Sequence, residues 1–247
     1  MNISKKIFTA ATFEKRLRVL SSKAEIEKTK RYFKTGKGQY GEGDRFIGVR
    51  MGQVFALAKE YVDMSLGEIE KLLQSSIHEA RAGALSIMGK ATPKKKLTPE
   101  RLKAFYEIYL RNHKHINNWD LVDLAAYNVV GQYLADKPRA ILYKLAKSKN
   151  MWERRTAIVS TWAFSKDGDT KDAFAIATLL LRDTEDLIHK ATGWMLRSAG
   201  TRDKKALLHF LDTHAMTMPR TMLRYSLEKF DAKQKSLYMK MKNTLVK

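Results

Sequence analysis

The chain has 247 residues, with 47 Lys and Arg against 26 Asp and Glu, a net charge of +21 and a pI near 10.0. That length buries a real core, 44% hydrophobic with 30% charged residues excludes a disordered chain, and the lack of cysteine excludes disulfides, thiolate nucleophiles and thiolate metal sites. So large an excess of positive charge points to nucleic acid as partner, ahead of an anionic membrane or a ribosomal surface.

In chain order, the start "MNISKKIFTAATFEKRLRVL" lacks the continuous apolar core of a signal peptide, and no apolar run reaches the ~18 residues of a membrane span. The expectation is a soluble, cytoplasmic protein with no membrane association. Strand signals are nearly absent, and Ala/Leu/Lys/Glu-rich stretches with 3.6-residue periodicity predict an all-α chain. The predicted helices are 9–21, 23–34, 50–62, 66–75, 77–91, 99–112, 119–130, 138–147, 151–164, 171–181, 185–198, 203–212, 219–229 and 232–243. Ser65 and Thr98 are predicted N-caps, with Glu68 and Glu100 in the first turns behind them. "SAGTRD" and "VVGQ" read as stops or kinks. Nothing divides the chain into two compositions, so residues 1–247 are expected to form one domain.

Between the second and third helices lies the irregular "KTGKGQYGEGDRFIG". Its Gly-rich part "KTGKGQYGEGD" lacks the G-K-[S/T] ending of a phosphate-cradling loop, which leaves a flexible or DNA-touching loop. Lys94, Lys95 and Lys96 form a basic loop, and His113 and His115 are two apart, the wrong spacing for two metal ligands on one helix face. No metal or cofactor is expected.

"HEARAGALSIM", "MWERRTAIVSTW", "LIHKATGWML" and "MLRYSLEKF" align on a basic residue followed by small and apolar ones, at Arg81, Arg155, Lys190 and Arg224. The last two intervals are 35 and 34 residues; the first, 74, leaves room for one more unit near 121. Two-helix units of this length read as HEAT-like repeats, an α-α superhelix whose second helices line a concave basic groove.

The unit near 121 breaks the pattern. It has Leu121 in register and offers Trp119 and Asp123, spaced i, i+4 on one helical face. Asp120 points about 100° away, in the first turn, where the helix N-terminus favours a carboxylate. A carboxylate inside a phosphate-binding surface helps only where something positive stands or develops. Breaking an N-glycosidic bond supplies such a charge, because the departing base leaves an oxocarbenium-like sugar, and a purine alkylated at N3 or N7 is itself cationic. One opposed charge at 4 Å and an effective dielectric near 20 is worth ~4 kcal/mol, on the order of a thousandfold in rate. The face of Trp119 adds ~0.5–2 kcal/mol of attraction for a cation. A salt bridge from Asp123 to a neighbouring basic residue is the plainer alternative. Trp152 and Trp162 read as core, and so does Trp194 on spacing alone.

The ordered set "NNWDLVDLAA", "MWERRTAIV", "IHKATGWMLR" and "TMPRTMLRYSLEKF" resembles the DNA alkylation repair family of HEAT-like-repeat DNA glycosylases (the AlkD type), from about residue 30 to 240. "YFKTGKGQYGEGDRFIGVR" looks like the N-terminal region of a common bacterial branch of it, which implies a bacterial protein, nucleoid-associated when bound to DNA. The resemblance implies that Asp123 stabilises a cationic sugar, with Trp119 and Trp194 against the deoxyribose. It implies Arg155 and Arg197 as phosphate contacts with Arg154 beside them, joined by Lys190, Arg81 and Arg224 from the register. It implies a monofunctional alkylpurine glycosylase, without metal or cofactor, that removes N3- and N7-alkylated purines from duplex DNA in base excision repair and leaves the base in the stack. A mechanism that senses charge on the sugar needs no pocket shaped to the base, unlike most glycosylases, which flip it out. A monomer is expected. Some members bind unusual DNA without excision, so a non-catalytic binder of branched or distorted DNA stays open, as does an adaptor for acidic proteins.

Overall fold

The computed structural model describes residues 8–91 and 97–241, so the basic loop Lys94–Lys96 lies outside the described residues, as does the predicted helix end beyond 241. Among the described residues every regular element is helical, and the single β feature is an isolated parallel bridge between Arg45 and Ile77. The all-α expectation holds. None of these helices is long and apolar enough to cross a membrane. Contacts divide the chain into two compact units, Met1–Val129 and Val130–Lys247.

The first unit contains α1 (Ala10–Val19), α2 (Lys23–Tyr32), α3 (Met51–Glu60), α4 (Leu66–Leu73), α5 (His78–Ser86), α6 (Pro99–Arg111) and α7 (Trp119–Ala125). Thr9 caps α1 in a reciprocal box with Thr12. Thr98 caps α6 as predicted, its hydroxyl accepting from Arg101 N at 3.2 Å. Ser65 stands at the N-cap of α4 but makes no side-chain cap bond. Glu68 stands in the first turn as predicted, and it also accepts the backbone N–H of Ala10 at 2.8 Å and so ties the start of α1 to α4.

The predicted helix 77–91 is α-helical through Ser86 and π-helical over Ile87–Ala91, and the predicted helix 119–130 changes to π geometry over Ala126–Gly131. The "VVGQ" stretch, read as a stop or kink, overlaps that second π turn. Core side chains from several of the helices, including Phe13, Leu17, Leu72, Leu73, Leu85, Phe105, Tyr109 and Leu121, are all fully buried. Each such burial contributes about 1.5–3 kcal/mol.

The second unit contains α8 (Ala140–Ala146), α9 (Met151–Ser160), α10 (Trp162–Ser165), α11 (Lys171–Leu179), α12 (Asp186–Gly200), α13 (Lys204–His214), α14 (Arg220–Ser226) and α15 (Ala232–Lys240). Helices α12 and α14 pack closely because Gly193 has no side chain: a Cβ there would sit 2.5 Å from Met222 O. Trp152 is core, as expected, whereas Trp162 is only half-buried, with Lys166 Nζ 5.6 Å from its ring centre.

Candidate functional site

Helix α7 begins at Trp119 because Asn118 ends the extended segment before it, its Oδ1 accepting Trp119 N–H at 2.8 Å. Leu121, Val122, Leu124 and Ala125 face the core. Trp119 and Asp123 stay half-buried on another face, one turn apart. Both line a cavity of about 350 Å³ within the first unit, with Tyr32, Phe33, Met51, Phe55, Asp120 and Leu124. Phe33 stacks on Trp119 at 5.5 Å, and Tyr32 meets it edge-on at 5.8 Å. The pair singled out from spacing therefore shares one aromatic-walled recess.

Behind that wall runs a buried chain of charge. His78, fully buried, has Nδ1 2.6 Å from Asp44 Oδ2 and Nε2 2.8 Å from Asp120 Oδ2. Asp44 Oδ1 accepts from Arg81 Nη2 at 2.5 Å, and that guanidinium also reaches Asn117 Oδ1 and the carbonyl of Ser75. Burial alone would lower the pKa of His78, but the carboxylates of Asp120 and Asp44 outweigh it and push it up to about 9. The imidazolium then donates from both nitrogens. Burial would likewise raise Asp44, but the hydrogen bond and charge of His78, with Arg81, bring it down to about 2. Asp120 is thus more than a first-turn carboxylate: it is the end of this chain that lines the cavity, and its Oδ1 is buried with no hydrogen-bond partner among the described residues.

The glycine-bearing segment is what delivers Asp44. Glu79, also fully buried, accepts the backbone N–H groups of Ile47, Gly48 and Val49 at 2.8–3.2 Å. Gly48 has φ +77°, and a Cβ on it would meet Ser22 O at 2.3 Å, so no other residue fits there. Residues 44–49 are thereby strapped onto α5. Neither His78 nor Glu79 stood out in the sequence. Their signal is a charged pair opening a helix, "HEARAGALSIM", that is otherwise small and apolar.

The basic candidates separate by burial. Arg81 is 4% exposed and bound into the chain just described, and Arg155 is 5% exposed, with Nη1 donating to Leu187 O at 2.6 Å. Arg154 forks onto Asp183 and donates to the carbonyls of Ser148 and Lys149. Lys190 pairs with Asp186 one turn back at 2.7 Å, and Arg197 pairs with Glu228. Arg197 also lines a cavity of about 150 Å³ with Lys204 and Lys229, within the second unit. Arg224 is exposed on α14 and makes no ion pair with a described residue. Trp194 is half-buried on α12. Leu121, the residue in register with Arg81 and Arg155, is buried as they are, which explains why an apolar side chain can stand there.

A family model described as DNA alkylation repair enzyme matches residues 13–230. A solved structure, a predicted DNA alkylation repair enzyme from Enterococcus faecalis, is similar with a TM-score of 0.65 at 17% identity, covering 86% of this chain and 97% of that one. At that identity the likeness is one of fold. No curated protein matches the chain.

Proposed function

From the premise that the chain belongs to the DNA alkylation repair enzyme family, we propose that it is a monofunctional DNA glycosylase. It hydrolyses the N-glycosidic bond of cationic N3- or N7-alkylated purines in duplex DNA and leaves an abasic site for base excision repair. The observation that carries this reading is that Trp119 and Asp123 line one recess whose walls are otherwise aromatic or apolar, apart from Asp120. A carboxylate at such a place suits a substrate that brings positive charge with it. The alkylated base brings that charge, and the sugar inherits it as the bond breaks. Asp123 opposes it in the transition state and orients the attacking water, which takes the anomeric carbon as the base leaves neutral. Trp119 offers its ring to the deoxyribose, and Trp194 serves as an aromatic contact to the DNA from the second unit. This chemistry answers charge on the sugar, so it does not depend on flipping the base.

The exposed and surface-paired cations Lys190, Arg197 and Arg224 hold backbone phosphates, since a surface ion pair worth ~0–1 kcal/mol opens readily for a phosphate. The buried Arg81 and Arg155 and the half-buried Arg154 shape the helices that carry the site. The protein acts as a cytoplasmic monomer on nucleoid DNA.

Incubation with a duplex carrying one N7-methylguanine, followed by hot alkali, tests the reading. Strand scission at the lesion, absent from an unmodified duplex, is the expected result. No scission at low salt removes the enzyme claim and leaves a binder of distorted DNA.

A further inference from the structure

Asn117, Asn118 and Asp120, at the start of the helix that carries Trp119 and Asp123, are all held by one buried cluster. Arg81 Nη2 donates to Asn117 Oδ1 at 3.1 Å, and Asn118 Nδ2 donates to Asp44 Oδ2 at 3.4 Å. His78 Nε2 lies 2.8 Å from Asp120 Oδ2. Asp44 joins the three, since it also binds Arg81 and His78 Nδ1. Asn118 and His78 are fully buried, and the Asp44 side chain is 1% exposed. Bonds so deep keep their geometry, because a lost one leaves a buried polar group unsatisfied.

The same cluster backs the ring of Trp119. Phe46 stacks on the His78 imidazole at 4.3 Å, and Phe33 packs on both, 5.0 Å from Phe46 and 5.2 Å from His78. Trp119 in turn stacks on Phe33 at 5.5 Å with the planes 25° apart. Asp44 and Phe46 come from the strap that Glu79 holds through the N–H groups of residues 47–49. Side chains locked in this way hold a reacting constellation to within about 0.5 Å.

Resting on the glycosylase reading, we propose that Asp44, Phe46 and His78 are positioning residues for the reaction. They set the ring of Trp119 and the start of α7 before DNA arrives, and through that helix the carboxylate of Asp123. The lining of the recess does not include them, so they act on the substrate only through α7 and Phe33. The surface cations that grip phosphate lie elsewhere, so loss of this support lowers the rate and spares the affinity.

Phe46→Leu tests this, because it removes the ring and leaves the buried charges intact. Single-turnover excision of N7-methylguanine is expected to fall about ten- to a hundredfold, the cost of a small misplacement. The Kd for the lesion duplex should stay within about twofold, and Phe46→Tyr, which keeps the ring, should excise within about threefold of wild type. A second readout does not depend on excision. With fluorotryptophan in place of the tryptophans, the fluorine NMR line that disappears in Trp119→Phe reports on that ring alone. It should be a single sharp line in wild type, and should broaden or split in Phe46→Leu and Asp44→Asn while the other lines stay in place. An unchanged Trp119 line in folded Phe46→Leu, or a Phe46→Tyr protein as slow as Phe46→Leu, overturns the proposal. Excision that does not respond to Phe46→Leu ends the positioning and keeps the glycosylase. A Trp119 line that responds in a protein whose wild type excises nothing keeps the support of that ring and ends the enzyme.

Discussion

Helices α5 and α14 carry a basic residue at the same register position and use it in opposite ways. On α5, Arg81 is sealed in the first unit against Asp44, with His78 and Asp120 continuing the chain to the recess. On α14, Arg224 stands in solvent with no acidic partner among the described residues. One cation is spent on holding a wall, and the other is available to a ligand. Sequence register records that a helix recurs, and burial decides what its charge can do. The two helices should therefore respond differently when the charge is removed.

The largest effect is expected at the wall that Arg81 supports. Asp123→Asn keeps the shape of the side chain and deletes the charge, so single-turnover excision of N7-methylguanine should fall by about a thousandfold, the worth of ~4 kcal/mol of opposed charge. Affinity for the lesion duplex should hold or improve, because a negative charge near phosphates has gone. Excision within about threefold of wild type would show that the carboxylate does not act on the sugar.

Arg81→Met comes next and acts on stability. Removing one partner of a buried ion pair costs on the order of 3–5 kcal/mol, since Asp44 is left without its guanidinium. Urea denaturation should show that loss, while the salt dependence of DNA binding stays as in wild type. A variant as stable as wild type would mean that the buried chain contributes nothing net.

The same chain makes stability depend on pH. The folded pKa of His78 is raised from 6.5 to about 9. Its contribution is complete below about 6.5, where the unfolded imidazole is charged as well, and drains away as pH rises through about 9. Asp44 has the opposite sign: its folded pKa is lowered from 3.8 to about 2, so its contribution is present above 3.8 and lost as pH falls through 2. The urea midpoint should decline between pH 6.5 and 9, and the decline should be missing from His78→Gln. A flat wild-type profile over that range would show that His78 is neutral in the folded protein.

How much of this was legible in the sequence follows the range of the interactions. Helices are local, so their periodicity and the Thr98 cap could be read directly. The i, i+4 spacing of Trp119 and Asp123 put them on one face for the same reason. What could not be read depends on residues far apart in the chain. Asp44 meets His78 across 34 positions, and Glu79 gathers the backbone of 47–49 across about 30. Nothing local announces such pairs, nor that Gly41 and Gly48 let the backbone lie close to its neighbours. Burial was the other hidden quantity. Arg81, Arg155 and Arg224 look alike in an alignment of short motifs, and they differ only once the core is assembled.

Arg224 gives the smallest effect and the sharpest contrast. Replacing this exposed arginine with alanine should leave stability within about 0.5 kcal/mol. If its guanidinium neutralises one phosphate, binding should weaken by a similar factor on damaged and undamaged duplexes, and the slope of log affinity against log salt should fall by about one. Arg81→Met predicts the reverse on both axes, a loss of stability with an unchanged slope. The pair of variants, each measured by urea denaturation and by salt titration, therefore forms a two-by-two test. An unchanged slope in Arg224→Ala would take this arginine off the DNA and leave phosphate contact to Lys190 and Arg197. A reduced slope in Arg81→Met would mean that the buried guanidinium reaches phosphate after all, and the division between the two helices would fail.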